Sequence, residues 1–281
     1  MSVLEKPVYL STKDFLVSGE TFQLLYDEKT DMLVTSPQPK ATELSKYYES
    51  DEYISHTDKK DGVMAFLYQS VKNYSLRKKI SFINSKQKTK GSLLDVGAGT
   101  GDFLNKAKNN GWSVDGVEVN AAARELASQK GLKLFDTLHS LPKKTYQVIT
   151  LWHVLEHIPN LEETVTILDS LLAPDGILII AVPNYKSYDA NYYKEFWAAY
   201  DVPRHLWHFS RKSLPKILQP FFKLESTRPM LFDSFYVSLL SERYKTENNF
   251  SMKAFWIGLQ SNIRAWRSKE YSSVLYCFKK A

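Results

Sequence analysis

The chain has 281 residues, 43% hydrophobic and 24% charged, with a net charge of +6 at neutral pH and one cysteine, Cys277. No apolar run approaches the roughly 18 residues that a membrane-spanning helix needs, and a single thiol excludes a disulfide framework or a cysteine-built zinc site. The opening residues "MSVLEKPVYLSTKDF" hold no apolar signal-peptide core, so a cytoplasmic protein is expected.

In chain order, "TFQLLYDEKTDMLVTS" (21–36) reads as two short strands around a polar turn. A proline-punctuated loop follows, then a helix start with Thr42 or Ser45 as caps. From Met64 to Asn84, residues Met64, Leu67, Val71, Tyr74, Leu76, Ile80 and Ile83 keep helical spacing. The acid-free stretch 70–90, with Lys72, Arg77, Lys78, Lys79, Lys86, Lys88 and Lys90, reads as a solvated helix face or as a surface for an anionic partner. The polar linker "NSKQKTKG" places a boundary between an N-terminal hairpin-helix cap (1–89) and a second domain (90–281).

Beyond the linker, strand and helix patterns alternate. "LLDVG", "WSVDGVEV", "LKLFD", "YQVITLW" and "ILIIAVP" read as strands, and "TGDFLNKAKNNG", "NAAARELASQKG" and "NLEETVTILDSLLAPDG" as helices. Between the third and fourth strands only "TLHSLPKKT" is available, so that crossover helix is short or missing. This alternation predicts an α/β fold, a doubly wound and mostly parallel sheet. An aromatic insertion (184–209) comes next, followed by the helix "RKSLPKILQPF", the strand "KLESTRP", a helical insertion (230–271) and the closing strand "SSVLYCFKK".

The turn in "SLLDVGAGTGDFL" has glycines at Gly97, Gly99 and Gly101. A dinucleotide fingerprint needs a glycine where Asp102 stands, and a phosphate loop needs a lysine after Gly101. With both phosphate cradles excluded by spacing, the glycines suit a nucleoside brought close to the backbone. Asp95 and Glu118 lie at the carboxyl ends of the first two strands, where open parallel sheets bind ligands. An acid at the second strand end suits two ribose hydroxyls.

On "LLDVGAGTGDFL", "VDGVEVN", "YQVITLWHVLEHIPN" and "LLAPDGILIIAVPN", the chain resembles the class I S-adenosylmethionine-dependent methyltransferases. "LEH" and "VPRHLWHFS" resemble more narrowly the branch that includes ubiquinone-biosynthesis O-methyltransferases and bacterial small-molecule relatives. The resemblance implies a seven-stranded Rossmann-like sheet and S-adenosylmethionine as cofactor, leaving as S-adenosylhomocysteine. It implies contacts from Asp95, Gly97, Ala98, Gly99 and Gly101, from Glu118 and Val119, from Asp136 and Thr137 near the adenine, and from Trp152 and His153. Tyr53 and His56 in the cap are further candidate contacts.

Methyl transfer to a hydroxyl also needs a proton acceptor or a metal. His205, His208 and His157 are the candidate bases, and Trp197, Tyr200 and Trp207 candidate pocket walls. Metal-dependent relatives carry Glu-x-x-Glu-His where this chain has His153, Glu156 and His157, which are therefore candidate divalent-metal ligands. "WHVLEHIP" lacks the proline pair of DNA amino-methyltransferases, and Cys277 is far from a cytosine-methylating position, so DNA is excluded. The expected activity is O-methylation of a small-molecule acceptor. Rivals are N-, C- or RNA methylation, or cofactor binding without turnover.

Trp256, Leu259, Ile263 and Trp266 form an apolar stripe beside Arg264, Arg267 and Lys269. The stripe either packs on the core or serves a hydrophobic or lipid-linked acceptor or a peripheral membrane contact. With residues 185–209 it is expected to close over the methyl group.

Overall fold

A computed structural model describes residues 6–40, 43–48, 63–248 and 251–281. Its centre is a seven-stranded sheet. Five strands run parallel: β4 (Ser92–Val96), β5 (Ser113–Val117), β6 (Leu134–Phe135), β7 (Tyr146–Trp152) and β8 (Leu172–Pro183). The last strand, β11 (Ser273–Lys280), lies antiparallel between β8 and β10 (Phe222–Pro229), giving the order β10-β11-β8-β7-β4-β5-β6. Ile177 to Ala181 are completely buried. That explains the unbroken apolar run of β8, because a strand covered on both faces has no solvent side to encode.

Four helices flank these strands: α1 (Val63–Lys86), α2 (Asp102–Lys108), α3 (Ala121–Ser128) and α4 (Leu161–Leu171). No α-helix joins β6 to β7; the expected short crossover is a single turn at Leu138–Ser140. α4 is shorter than its sequence pattern because Leu172 already pairs with Tyr146 of β7. Chain order reverses direction between β4 and β7, which opens a crevice at their carboxyl ends.

The N-terminal segment makes a second sheet from β1 (Val8–Lys13), β2 (Thr21–Asp27) and β3 (Met32–Ser36). β1 was not legible in sequence, since as an edge strand it buries only Thr12 fully. The fourth strand, β9 (Trp207–His208), comes from the aromatic insertion and pairs Leu33 with His208 and Val34 with Trp207. Trp197 and Tyr200 are buried in a separate core with Phe22, Leu24 and Leu33. These two aromatics pack the hairpin onto the insertion.

The insertion also contains α5 (Tyr188–Tyr193), and α6 (Ser213–Leu218) precedes β10. Between β10 and β11 stand α7 (Asp233–Thr246) and α8 (Met252–Ser268). α8 buries Ala254, Ile257, Gly258, Ser261 and Ala265. A Cβ at Gly258 would lie 2.9 Å from the Phe235 Cα, so the small face permits close approach of the two helices. Trp256, Ile263 and Trp266 therefore point outward, and the apolar stripe does not pack on the core.

Candidate active site

The turn after β4 is shaped by its glycines. Gly97 has φ +72° and Gly99 φ +53°, both left-handed. A Cβ at Gly97 would meet Val154 Cγ2 at 2.3 Å, whereas one at Gly99 meets nothing within 4 Å. The first glycine is required by packing. The second leaves an open approach to the backbone. The N–H groups of Gly97 and Ala98 both donate to the Val117 carbonyl (2.8 and 2.9 Å), locking the turn to the end of β5.

Glu118 follows β5 directly. Its Oε2 accepts from the Gly99 N–H (2.8 Å) and its Oε1 from the Asn120 N–H (2.9 Å). Each oxygen keeps a further lone pair for a ligand hydroxyl. The next residue, Val119, is exposed. Beyond β6, the Ser140 hydroxyl donates to Asp136 Oδ1 (2.7 Å) and accepts from the Thr137 N–H (3.3 Å), holding that turn beside the same crevice end.

At the floor, Asp95 is buried and accepts from the Thr150 hydroxyl at 2.5 Å. Burial raises its carboxyl to about 7, against the opposing effects of Thr150 and of the Lys79 ammonium. Lys79 comes from α1 and lies over the Trp152 ring, 4.1 Å from its centroid. Desolvation lowers this ammonium to about 8, while Asp95 and Asp233 draw it upward. Trp152 packs edge-on against Phe103, and its buried indole N–H has no hydrogen-bond partner among the described residues.

His153 follows Trp152 at φ +57°, a left-handed conformation uncommon outside glycine. Its Nε2 lies 3.1 Å from Asp233 and its Nδ1 3.5 Å from Glu156. Desolvation alone would depress the imidazole, but these carboxylates outweigh it and raise it to about 9. His153 is thus a cation at neutral pH.

Glu156 is buried, and beyond its ion pair with His153 neither carboxylate oxygen has a hydrogen-bond partner among the described residues. Beside it stand His157 and His205, with one ligand atom from each of the three within 4.8 Å of the others. The Nδ1 of His157 lies 3.1 Å from the Arg204 carbonyl and 3.2 Å from the Tyr48 hydroxyl, and the Nδ1 of His205 lies 2.9 Å from the Ala199 carbonyl. A carbonyl only accepts, so each Nδ1 carries the proton and each Nε2 presents a lone pair. Burial and the neighbouring His205 lower His157 to about 4. The cluster gathers a carboxylate and two imidazole lone pairs beside the His153 cation.

His208 is placed elsewhere. Its Nε2 lies 3.0 Å from the Thr35 hydroxyl beneath the β3–β9 pairing, and burial holds it well below the ordinary histidine range. Tyr53 and His56 lie outside the described residues. The structure brings His205 to Glu156 and His157, while His153 uses both ring nitrogens on Asp233 and Glu156.

Sequence reasoning missed Lys79 and Asp233. Lys79 carried a signal: it lies three residues after Leu76 and four before Ile83, on the buried stripe rather than the solvated face. Asp233 had none, because only the return of α7 to the end of β7 gives it meaning. Arg204 is buried and ties three segments together, reaching Asp14 (2.9 Å), Asp201 (2.7 Å) and the Tyr47 carbonyl (2.9 Å).

A family model described as a methyltransferase domain matches residues 68–221, more than half of the chain. An uncharacterized methyltransferase of Alkaliphilus oremlandii is 32% identical over 107 residues, 36% of this chain and 49% of that protein. A ubiquinone biosynthesis O-methyltransferase of Haemophilus ducreyi is 26% identical over 106 residues, 33% of this chain and 45% of that protein. The matched region thus spans about half the length of these curated relatives. Among solved structures, the magnesium protoporphyrin IX methyltransferase of Synechocystis with bound S-adenosylhomocysteine superposes with a TM-score of 0.57 at 15% identity, covering 86% of this chain and all of that one. Phosphoethanolamine N-methyltransferase 2 of Haemonchus contortus gives 0.53 at 15% identity, covering 88% and 62%. These two likenesses are of fold. With the matched domain covering more than half of its length, the chain belongs to the methyltransferase-domain family, and its fold is that of these methyltransferase structures.

Proposed function

We propose that the chain methylates a hydroxyl of a small, predominantly apolar acceptor. The observation that carries this reading is the convergence of Glu156, His157 and His205, buried acceptors beside the cofactor crevice, with Nε2 lone pairs able to take a hydroxyl proton. The ubiquinone-pathway relative is an O-methyltransferase, which supports the same acceptor atom.

The residues present fit the cofactor. In this reading Glu118 accepts from the ribose hydroxyls, Val119, Asp136 and Thr137 border the adenine, and the open backbone at Gly99 admits the nucleoside. Ionised Asp95 complements the positive charge of the amino-acid part, and Lys79 its carboxylate. When bound, the cofactor supplies an electrophilic methyl group on a sulfonium. The protein's task is then to align the acceptor oxygen and remove its proton. His205 receives that proton at Nε2, and the neighbouring Glu156 carboxylate stabilises the imidazolium formed, while His157, lowered to about 4, stays neutral beside it. His153, already cationic, orients Glu156.

The test is transfer of labelled methyl from S-adenosylmethionine into a small-molecule extract, with mass spectrometry of the product. O-methylated product that disappears in His205→Asn and His157→Asn, with cofactor affinity retained, supports the reading. N-methylated product, or full turnover in both variants, overturns it.

A second reading is favoured by the same lone pairs. Two imidazoles and a carboxylate suit a divalent ion such as zinc or manganese. Glu156, His157 and His205 would hold it, with His205 standing where His153 was expected. Such an ion would polarise the acceptor oxygen as a Lewis acid. Elemental analysis and turnover after exhaustive chelation separate the two: a metal-free, fully active protein leaves only the base.

A further inference from the structure

We infer that the outer face of the α7–α8 hairpin docks on an anionic lipid surface. α8 is arranged in an unusual sense for a helix on a globular protein. Its small residues face the protein, while Met252 (71% exposed), Trp256 (57%), Ile263 (59%) and Trp266 (72%) face outward. Those four, with the partly buried Leu259, recur at intervals of three and four and so share one side of the helix. Phe255 adds to them, and α7 leaves Tyr236 and Leu239 exposed. The helices are joined through the Phe235 and Phe255 rings (4.9 Å) and by Asn262, which donates to the Leu231 carbonyl and the Ser234 hydroxyl. Isolated surface apolar residues are ordinary, but two adjacent helices exposing their largest apolar side chains mark a binding surface.

Charge chooses the partner. α8 carries no acidic residue; Lys253 is paired with Glu242 of α7 (3.2 Å), which leaves Arg264 and Arg267 on α8 and Lys269 just past its end. A second copy seated symmetrically on this face would set those cations against their own counterparts. An anionic leaflet attracts them instead. Tryptophan with flanking arginine and lysine is the composition that rests stably at the boundary between head groups and acyl chains. The same hairpin reaches the crevice, since Asp233 in the first turn of α7 pairs with His153. Docking therefore sets the acceptor side toward lipid and supplies an amphipathic acceptor from the membrane. That consequence rests on the proposed methyl transfer. The docking itself does not.

The test is co-sedimentation with vesicles of phosphatidylcholine alone or mixed with phosphatidylglycerol, together with tryptophan emission. Binding to the mixed vesicles only, with a blue-shifted emission and weakening at high salt, is the expected result. Trp256→Ser with Trp266→Ser should abolish the emission shift and most binding, without lowering the unfolding temperature. Arg267→Glu with Lys269→Glu should weaken binding by at least about fivefold per cation. Absence of binding at low salt, equal binding by both double variants, or a concentration-dependent dimer that shields these tryptophans in place of vesicle binding would overturn it. Calorimetry with S-adenosylmethionine on the same samples shows separately whether the cofactor reading holds.

Discussion

The proposed cofactor side and the proposed acceptor side of the crevice are built by different rules. On the cofactor side, the glycine turn, Glu118 and Asp136 sit within a few residues of strand ends, and most of their hydrogen bonds are local or to the adjacent strand. On the acceptor side, Glu156 and His157 follow β7, His205 comes from the insertion, Asp233 from α7 and Lys79 from α1. The first kind of site survives wherever the sheet forms. The second exists only if several distant segments are held in register, and Arg204 is one of the residues that holds them.

The largest effect should come from cutting that tie. Arg204→Ala leaves the buried Asp14 and the partly buried Asp201 without their cation. A loss of roughly 3–5 kcal/mol is expected in denaturant unfolding, with Arg204→Lys a poor rescue because one ammonium cannot span three acceptors. Retained stability would show that the acceptor side does not depend on the hairpin. On the cofactor side, Gly97→Ala combines a left-handed backbone with the Val154 clash. It should cost roughly 1–3 kcal/mol in strain and a similar amount in overpacking, and it should abolish cofactor binding in calorimetry.

Glu118→Ala should weaken S-adenosylmethionine by roughly 1–3 kcal/mol, the value of hydrogen bonds to a charged acceptor, with little change in unfolding temperature. A smaller effect is expected from pH. Asp95 is raised to about 7, so its anion, which a cationic ligand favours, predominates above that pH. Cofactor affinity should therefore rise with pH toward 7, by at most about tenfold per unit, and Asp95→Asn should flatten the profile. The smallest effect belongs to Trp266→Ala. An exposed side chain away from caps and networks should change stability by no more than about 0.5 kcal/mol, and thermal unfolding checks this against the several kcal/mol that a packed tryptophan would cost.

In the residues alone, the apolar runs of β4, β7 and β8, the crossover helices and the glycine turn were legible, because each is a short-range pattern. The missing crossover helix between β6 and β7 was legible for the same reason. The α8 stripe was visible as a stripe, yet its orientation was not. Amphipathic periodicity shows that a helix has two faces, and which one is buried depended on Gly258 and its small neighbours meeting α7.

The sequence by itself determined the doubly wound sheet, its glycine turn and the acids at its strand ends, since these follow from alternation and from φ angles that few residues adopt. Only the tertiary structure decided that His205 joins Glu156 and His157, that His208 is sealed under β3, that Lys79 leaves its basic run for the floor of the crevice, and that Trp266 faces outward. Each of these depends on contacts between residues far apart in the chain, and neither hydropathy nor spacing encodes which distant partner a side chain will meet.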